Sequence, residues 1–239
     1  MLGNSKYNNA VSIILAHPST ELRREYLKKC IESLETPVIL SSNFTVDEET
    51  QKMCDWVIYD KENPLLFEHE YTSHNVLYHK WYISQELEKI IEPFPFEHSY
   101  SVYCLAKNGL NFAKMLNKEK IHVIHYDYIV RNYTIEKNNY LLDTHDLIFY
   151  PQSHNKSYSA GFFSGNVDAL LDYFTFHKDK KSFYIEQRCD DRSLEEKLYC
   201  FYKEKNYNIK EENYSDLNEN GNIAERMYVF DGNIKRQQP

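Results

Sequence analysis

Residues 11–16 read Val-Ser-Ile-Ile-Leu-Ala, a short apolar run of β-branched character that His17-Pro18 ends. Such a run predicts a buried strand. Ser19 or Thr20 can cap a following helix, in which Leu22, Tyr26, Leu27, Cys30, Ile31 and Leu34 recur at helical spacing. Pro37 punctuates the chain, and residues 38–40 predict a second strand. Residues 45–54 predict a short polar helix and residues 56–59 a third strand. Strand, helix, strand, helix, strand within about sixty residues predicts a parallel sheet with crossover helices. Further on, the pattern predicts a helix over 76–91, a strand over 99–103 and a helix over 104–117 that leads straight into a strand over 121–124. Residues 147–150 form another apolar run, residues 166–174 another helix. Ser193 opens a last helix with Leu194, Leu198, Phe201 and Tyr202 on its buried side, and residues 227–230 predict a closing strand or a strapped tail. With no internal repeat, heptad or long linker, one α/β domain over residues 1–239 is the expected organisation.

Composition narrows this only in part. Hydrophobic residues make up 42% of the 239 and charged residues 27%, which is globular rather than disordered. Lys+Arg 28 against Asp+Glu 36 gives a net charge of −8, which with no long basic run argues against nucleic acid as a partner. The five cysteines are scattered without a CxxC pair, so they are expected to be reduced thiols of a cytoplasmic protein rather than a disulfide frame or a zinc site. Neither a signal peptide nor a membrane-spanning run is expected from the apolar pattern. The 21 tyrosines and 13 phenylalanines fit a bias toward AT-rich codons more simply than a stacking function.

Candidate chemistry follows from the predicted topology. In an open parallel sheet, ligands bind outside the carboxyl ends of the strands. That directs attention to His17 and Pro18, Ser41 and Ser42, Asp60 to Asn63, and His125 to Asp127. No G-x-G-x-x-G follows the first strand, no P-loop occurs and there is no G-x-S-x-G elbow, so dinucleotide oxidoreductases, P-loop enzymes and α/β-hydrolases are not expected. His69, His74 and His79 are spaced five apart and do not share a helix face as metal-binding histidines at i, i+4 would.

One ordered set of blocks has a family likeness. Ala106-Lys-Asn-Gly-Leu-Asn-Phe-Ala113 runs through a helix into Ile121-His-Val-Ile-His-Tyr-Asp127. This resembles the segment of family-2-like glycosyltransferases of GT-A fold in which an Arg-Asn-x-Gly helix precedes a strand ending in Asp-x-Asp. The run at residues 11–16 with the helix behind it looks like that family's opening strand and helix. The stretch Ser159-Ala-Gly-Phe-Phe-Ser-Gly165 is similar to the small-residue segment on its acceptor side, and Leu194-Glu-Glu-Lys-Leu198 falls where it places an acidic pair. The blocks span roughly residues 10–210. None is specific alone; their order carries the likeness.

The resemblance implies a GT-A-like fold, a mostly parallel sheet flanked by helices. It divides the domain into a nucleotide-binding half over about 10–130, an acceptor-side half over about 131–210 and a tail over 211–239. The implied activity is transfer of a sugar, with inversion, from a nucleotide-sugar donor to a glycan or lipid-linked acceptor, leaving room for peripheral membrane association. Departure of the diphosphate builds negative charge that a divalent cation stabilises, and hard oxygen ligands suit Mn2+ or Mg2+. Asp127 is the implied metal ligand, with His125 standing where the first carboxylate would be; the bland reading of Asp127 is a strand-end carboxylate. His17, Ser41, Asp60, Lys107 and Asn108 are the other donor-binding candidates, against plain roles as strand terminators, caps and a solvated helix face. An inverting transfer needs a base for the acceptor hydroxyl, for which Glu195 and Asp191 are the candidates; Glu196 reads as the partner of Ser193 in a capping box. A sugar nucleotidyltransferase would carry a Gly-rich basic loop where this chain has Ala16-His-Pro-Ser19. The alternative of another class is a catalytically degenerate GT-A domain that binds a glycan or a partner.

Overall fold

The computed structural model describes Tyr7 and residues 9–63, 98–151, 161–179, 182–183, 194–212 and 224–226. The first half alternates strands and helices as β1 (Ala10–Ala16), α1 (Glu21–Glu32), β2 (Val38–Ser42), α2 (Glu48–Met53), β3 (Trp56–Tyr59), α3 (His98–Met115) and β4 (Lys120–His125). Then come β5 (Tyr128–Val130), α4 (Asn132–Leu141), β6 (Leu147–Phe149), β7 (Phe162–Asn166), α5 (Val167–Phe174), α6 (Leu194–Glu204), β8 (Ile209–Glu211) and β9 (Ala224–Arg226).

Seven strands form one sheet in the order β3-β2-β1-β4-β7-β6-β8. Neighbours pair in parallel except at β7, which runs against both β4 and β6. This is the mostly parallel sheet flanked by helices that the sequence predicts. Every residue of β1 is buried, as a central parallel strand covered on both faces must be. One face packs Val11, Ile13, Leu15, Val123 and Phe163 against α3, α5 and α6. The other packs Ile14, Leu40, Ile124 and Phe162 against Leu27, Cys30 and Ile31 of α1 and Ile135 of α4. Thr20 caps α1, its hydroxyl accepting from the Arg23 amide at 3.3 Å, and Asp47 caps α2 in the same way at 2.8 Å.

The structure corrects one element outright. Residues 99–103, expected as a strand, are the opening turns of α3. Their aromatic content favours strand locally, but helical spacing carries Tyr103, Ala106 and Leu110 onto one core face. Tyr103 is buried among Tyr173, Phe174 and Phe183. Helix α4 gave no usable periodic signal because only Thr134, Ile135 and Asn138 of it are buried, and two of those are polar. Strands β5, β8 and β9 span three residues each, too short to read. The expected helix over 76–91 and strand over 227–230 lie outside the described residues. Among the described residues no helix is long and apolar enough to cross a membrane, and Cys30, Cys54, Cys104 and Cys200 are free thiols.

Candidate functional site

From β1 the chain steps outward to β2 and β3, then returns to the other side of β1 for β4. Strand order therefore reverses between β1 and β4, and the carboxyl ends of these two strands flank the crevice where such sheets take ligands. His17 follows β1 on one side; His125, Tyr126 and Asp127 close β4 on the other. The Tyr126 amide donates to the Leu15 carbonyl at 3.1 Å and holds the two ends together.

Asp127 is 6% exposed at this edge. The Cys30 thiol of α1 lies beneath it, donating to the His125 carbonyl at 3.9 Å. Burial and, after it, the negative charge of Asp127 push the Cys30 pKa far up, so the thiol stays protonated. The His125 amide donates to the Gly161 carbonyl at 2.8 Å, which pins the strand end to the start of β7. A methyl group on Gly161 would stand 2.1 Å from the Tyr128 ring, so that ring lies directly on the glycine backbone. Strand β9 pairs antiparallel with β5 and sets Arg226 opposite Tyr128, one residue beyond Asp127.

The β3 side is built from Asp60. Its backbone amide continues the β2 pairing by donating to the Ser42 carbonyl at 2.8 Å, and its carboxylate accepts from Asn108 Nδ2 at 3.0 Å. Gly109 beside it lets α3 press onto β1, since a Cβ there would sit 2.5 Å from Ile13 Cγ2. Lys107 and Asn108 are half-buried on the same turn. Ser41 is fully buried, and its hydroxyl donates to the Leu105 carbonyl at 2.8 Å, tying β2 to α3.

A polar chain crosses this end of the sheet, in which the sequence reading named His17 and Asn63 but neither Asn43 nor Ser101. His17 Nδ1 lies 2.8 Å from Asn43 Nδ2 and 3.0 Å from Asn43 Oδ1. Asn43 Nδ2 donates to Asn63 Oδ1 at 3.2 Å, Ser101 donates its hydroxyl to the same oxygen, and Asn63 Nδ2 donates to the Ser101 carbonyl at 3.2 Å. Asn43, Asn63 and Ser101 are all buried, whereas His17 is half-buried against the edge of Phe44. The one sequence signal for Asn43 was its place just beyond Ser41 and Ser42. Ser101 had none, because its segment read as a strand.

The structure thus brings His17, Ser41, Asp60, Lys107, Asn108, His125 and Asp127 to two neighbouring clusters along one end of the sheet. Asp191 and the side chain of Glu195 lie outside the described residues. The Ser159–Gly165 stretch is described from Gly161 onward, where residues 162–165 are a buried part of β7. Among the described residues no three His, Cys, Asp or Glu side chains converge as a metal cage. A site of Mg2+ type commonly needs only one or two carboxylates, with water and substrate phosphates completing the shell, and buried Asp127 suits that role.

No protein-family model and no curated protein matches the chain. Solved structures overlap it loosely. One described as a nucleotide-diphospho-sugar transferase from Desulfovibrio desulfuricans G20 is 6% identical with a TM-score of 0.49, over 87% of this chain and 80% of that one. The apo form of the glycosyltransferase GlyE of Streptococcus pneumoniae TIGR4 is 11% identical with a TM-score of 0.43, over 83% of this chain and 44% of that one. A glycosyltransferase involved in glycosylating the major capsid of PBCV-1 is 12% identical with a TM-score of 0.44, over 85% and 81%.

Proposed function

We propose that this protein is a glycosyltransferase that moves a sugar from a nucleotide-sugar donor to a glycan or lipid-linked acceptor. The observation that carries the reading is Asp127, a buried carboxylate two residues beyond the carboxyl end of β4, on the strand beside which the order reverses. In this reading the nucleoside lies toward Asp60 and Asn108, whose carboxylate and amide offer an acceptor and donors for a base or ribose. His17 and Lys107 serve the donor's anionic part. Asp127, with His125 beside it, would hold Mn2+ or Mg2+, which supplies Lewis-acid stabilisation of the departing diphosphate. Glu195 or Asp191 takes the proton of the attacking acceptor hydroxyl, with inversion at the anomeric carbon.

The test is release of free nucleotide from UDP-, GDP-, dTDP- and CMP-sugars with Mn2+ and water as acceptor. Slow release from one donor class, lost in Asp127→Asn, is the expected result; no release from any of them contradicts the enzyme. His125 in place of the first carboxylate favours a second reading, a GT-A domain that binds a glycan or a partner without turnover. That protein would hold sugar and release no nucleotide.

A further inference from the structure

The seven-stranded sheet ends at β3, which pairs with β2 alone among the described residues. Backbone groups along a strand alternate between its two sides. The Asp60 amide points inward to the Ser42 carbonyl, so Ile58, two residues back, points inward as well. Val57 and Tyr59 therefore turn their N–H and C=O groups outward. Such an edge is a template for a further strand unless charge, proline or a bulge guards it. The strand reads Trp-Val-Ile-Tyr in unbroken register with β2 and carries none of these guards.

The side chains follow the same period. Trp56 and Ile58 are half-buried against the core, whereas Val57 and Tyr59, on the opposite face, are 39% and 44% exposed. Asp55 and Lys61 continue the exposed set just beyond the two ends of the strand. Every second residue thus reads acid, aliphatic, aromatic, base, an order that complements itself when reversed. We propose that β3 is the contact of a homodimer, in which a second copy of this chain adds its own β3 antiparallel about a twofold axis through Ile58. Such an interface uses the same patch on both subunits.

This register satisfies the edge completely. Val57 and the second copy's Tyr59 exchange both N–H···O=C bonds, and the two Ile58 residues form the non-hydrogen-bonded pair at the centre. An aromatic side chain meets a β-branched one at each flanking pair, and Asp55 comes opposite Lys61 at both ends. A slip of one residue would set outward groups against inward ones and exchange the faces. A slip of two would lose the ion pairs. A ladder this short buries little area, so the dimer belongs to the weak, concentration-dependent class. The inference is independent of the donor reading.

Sedimentation of the wild type from about 1 μM to about 1 mM, the range of weak association, should show a monomer–dimer equilibrium. The double variant Val57→Lys with Tyr59→Lys sets lysine against lysine at both flanking pairs without entering the core. It should abolish association over that range while thermal unfolding shows it folded. In a non-hydrogen-bonded antiparallel pair the Cα atoms stand about 4.5 Å apart, within reach of a disulfide. Ile58→Cys under oxidised glutathione should therefore give a dimer linked through position 58 of both copies, mapped by peptide mass spectrometry against the wild type with its native thiols. A monomer at every concentration would overturn the proposal. So would a dimer that the double lysine variant retains in full, or Ile58→Cys protein that forms no link between the two copies at that position.

Discussion

At the scale of single residues, a marked sensitivity to pH lies away from the crevice, at His122. It sits on β4, fully buried, with Nδ1 2.8 Å from Ser164 Oγ and Nε2 3.1 Å from Asn139 Oδ1. Asn138 donates to the same serine, and Tyr150 donates to Asn138 at 2.7 Å, so every partner is suited to a neutral ring. Burial pulls the His122 pKa from 6.5 down to about 4, aided by nearby Lys120 and opposed by the Asn139 hydrogen bond. Because the folded value lies below the unfolded one, this contribution is intact above about pH 6.5 and is lost as pH falls toward 4. The difference is worth at most about 3 kcal/mol. Urea unfolding midpoints should drop over that window, and His122→Gln should flatten the drop. Gly161 gives a second residue-scale prediction. A Cβ there meets the Tyr128 ring at 2.1 Å, so Gly161→Ala should destabilise by about 1–3 kcal/mol as an overpacking change. An unchanged denaturation midpoint would contradict that packing.

At the scale of elements, α3 ties the two ends of the account together. Its first turns bury Tyr103, whose hydroxyl donates to the Tyr173 carbonyl at 3.2 Å and accepts from the His177 amide at 3.0 Å. Tyr103→Phe leaves both backbone groups without that partner and should cost about 1–3 kcal/mol by chemical denaturation; a neutral result would contradict the helix's docking on α5. The same helix shows what the sequence could and could not disclose. Its second half was legible because Leu110 and Ala113 recur at helical spacing and a strand follows at once. Its first half was not, because Tyr100, Val102 and Tyr103 have strand propensity locally and become helical through contacts with α5, seventy residues away. The parallel β1-β2-β3 unit was legible from its short apolar runs, and β1, β2 and β3 begin within a residue of expectation. On the site, the strand-end rule led directly to His17, Asp60 and Asp127, because position along a strand is a local property. The Asn43–Asn63–Ser101 chain was not legible, since it exists only where three separate loops and a helix meet.

At the scale of the whole molecule, the central claim is that one sheet edge, from Asp60 through His17 to Asp127, holds a nucleotide with the help of a divalent cation. A ligand that binds only the folded state stabilises it by mass action, by about 2.7 kcal/mol at a hundredfold excess over Kd. For a chain of this size that is a shift of several degrees in the unfolding temperature. The most direct measurement is thermal unfolding with UDP, GDP, CMP and dTDP near millimolar concentration, each with and without Mn2+, on the wild type and on Asp127→Asn. The account predicts a Mn2+-dependent rise of several degrees with one nucleotide, absent in Asp127→Asn although that variant folds. No shift with any of the four, or a shift that Asp127→Asn retains in full, would contradict it.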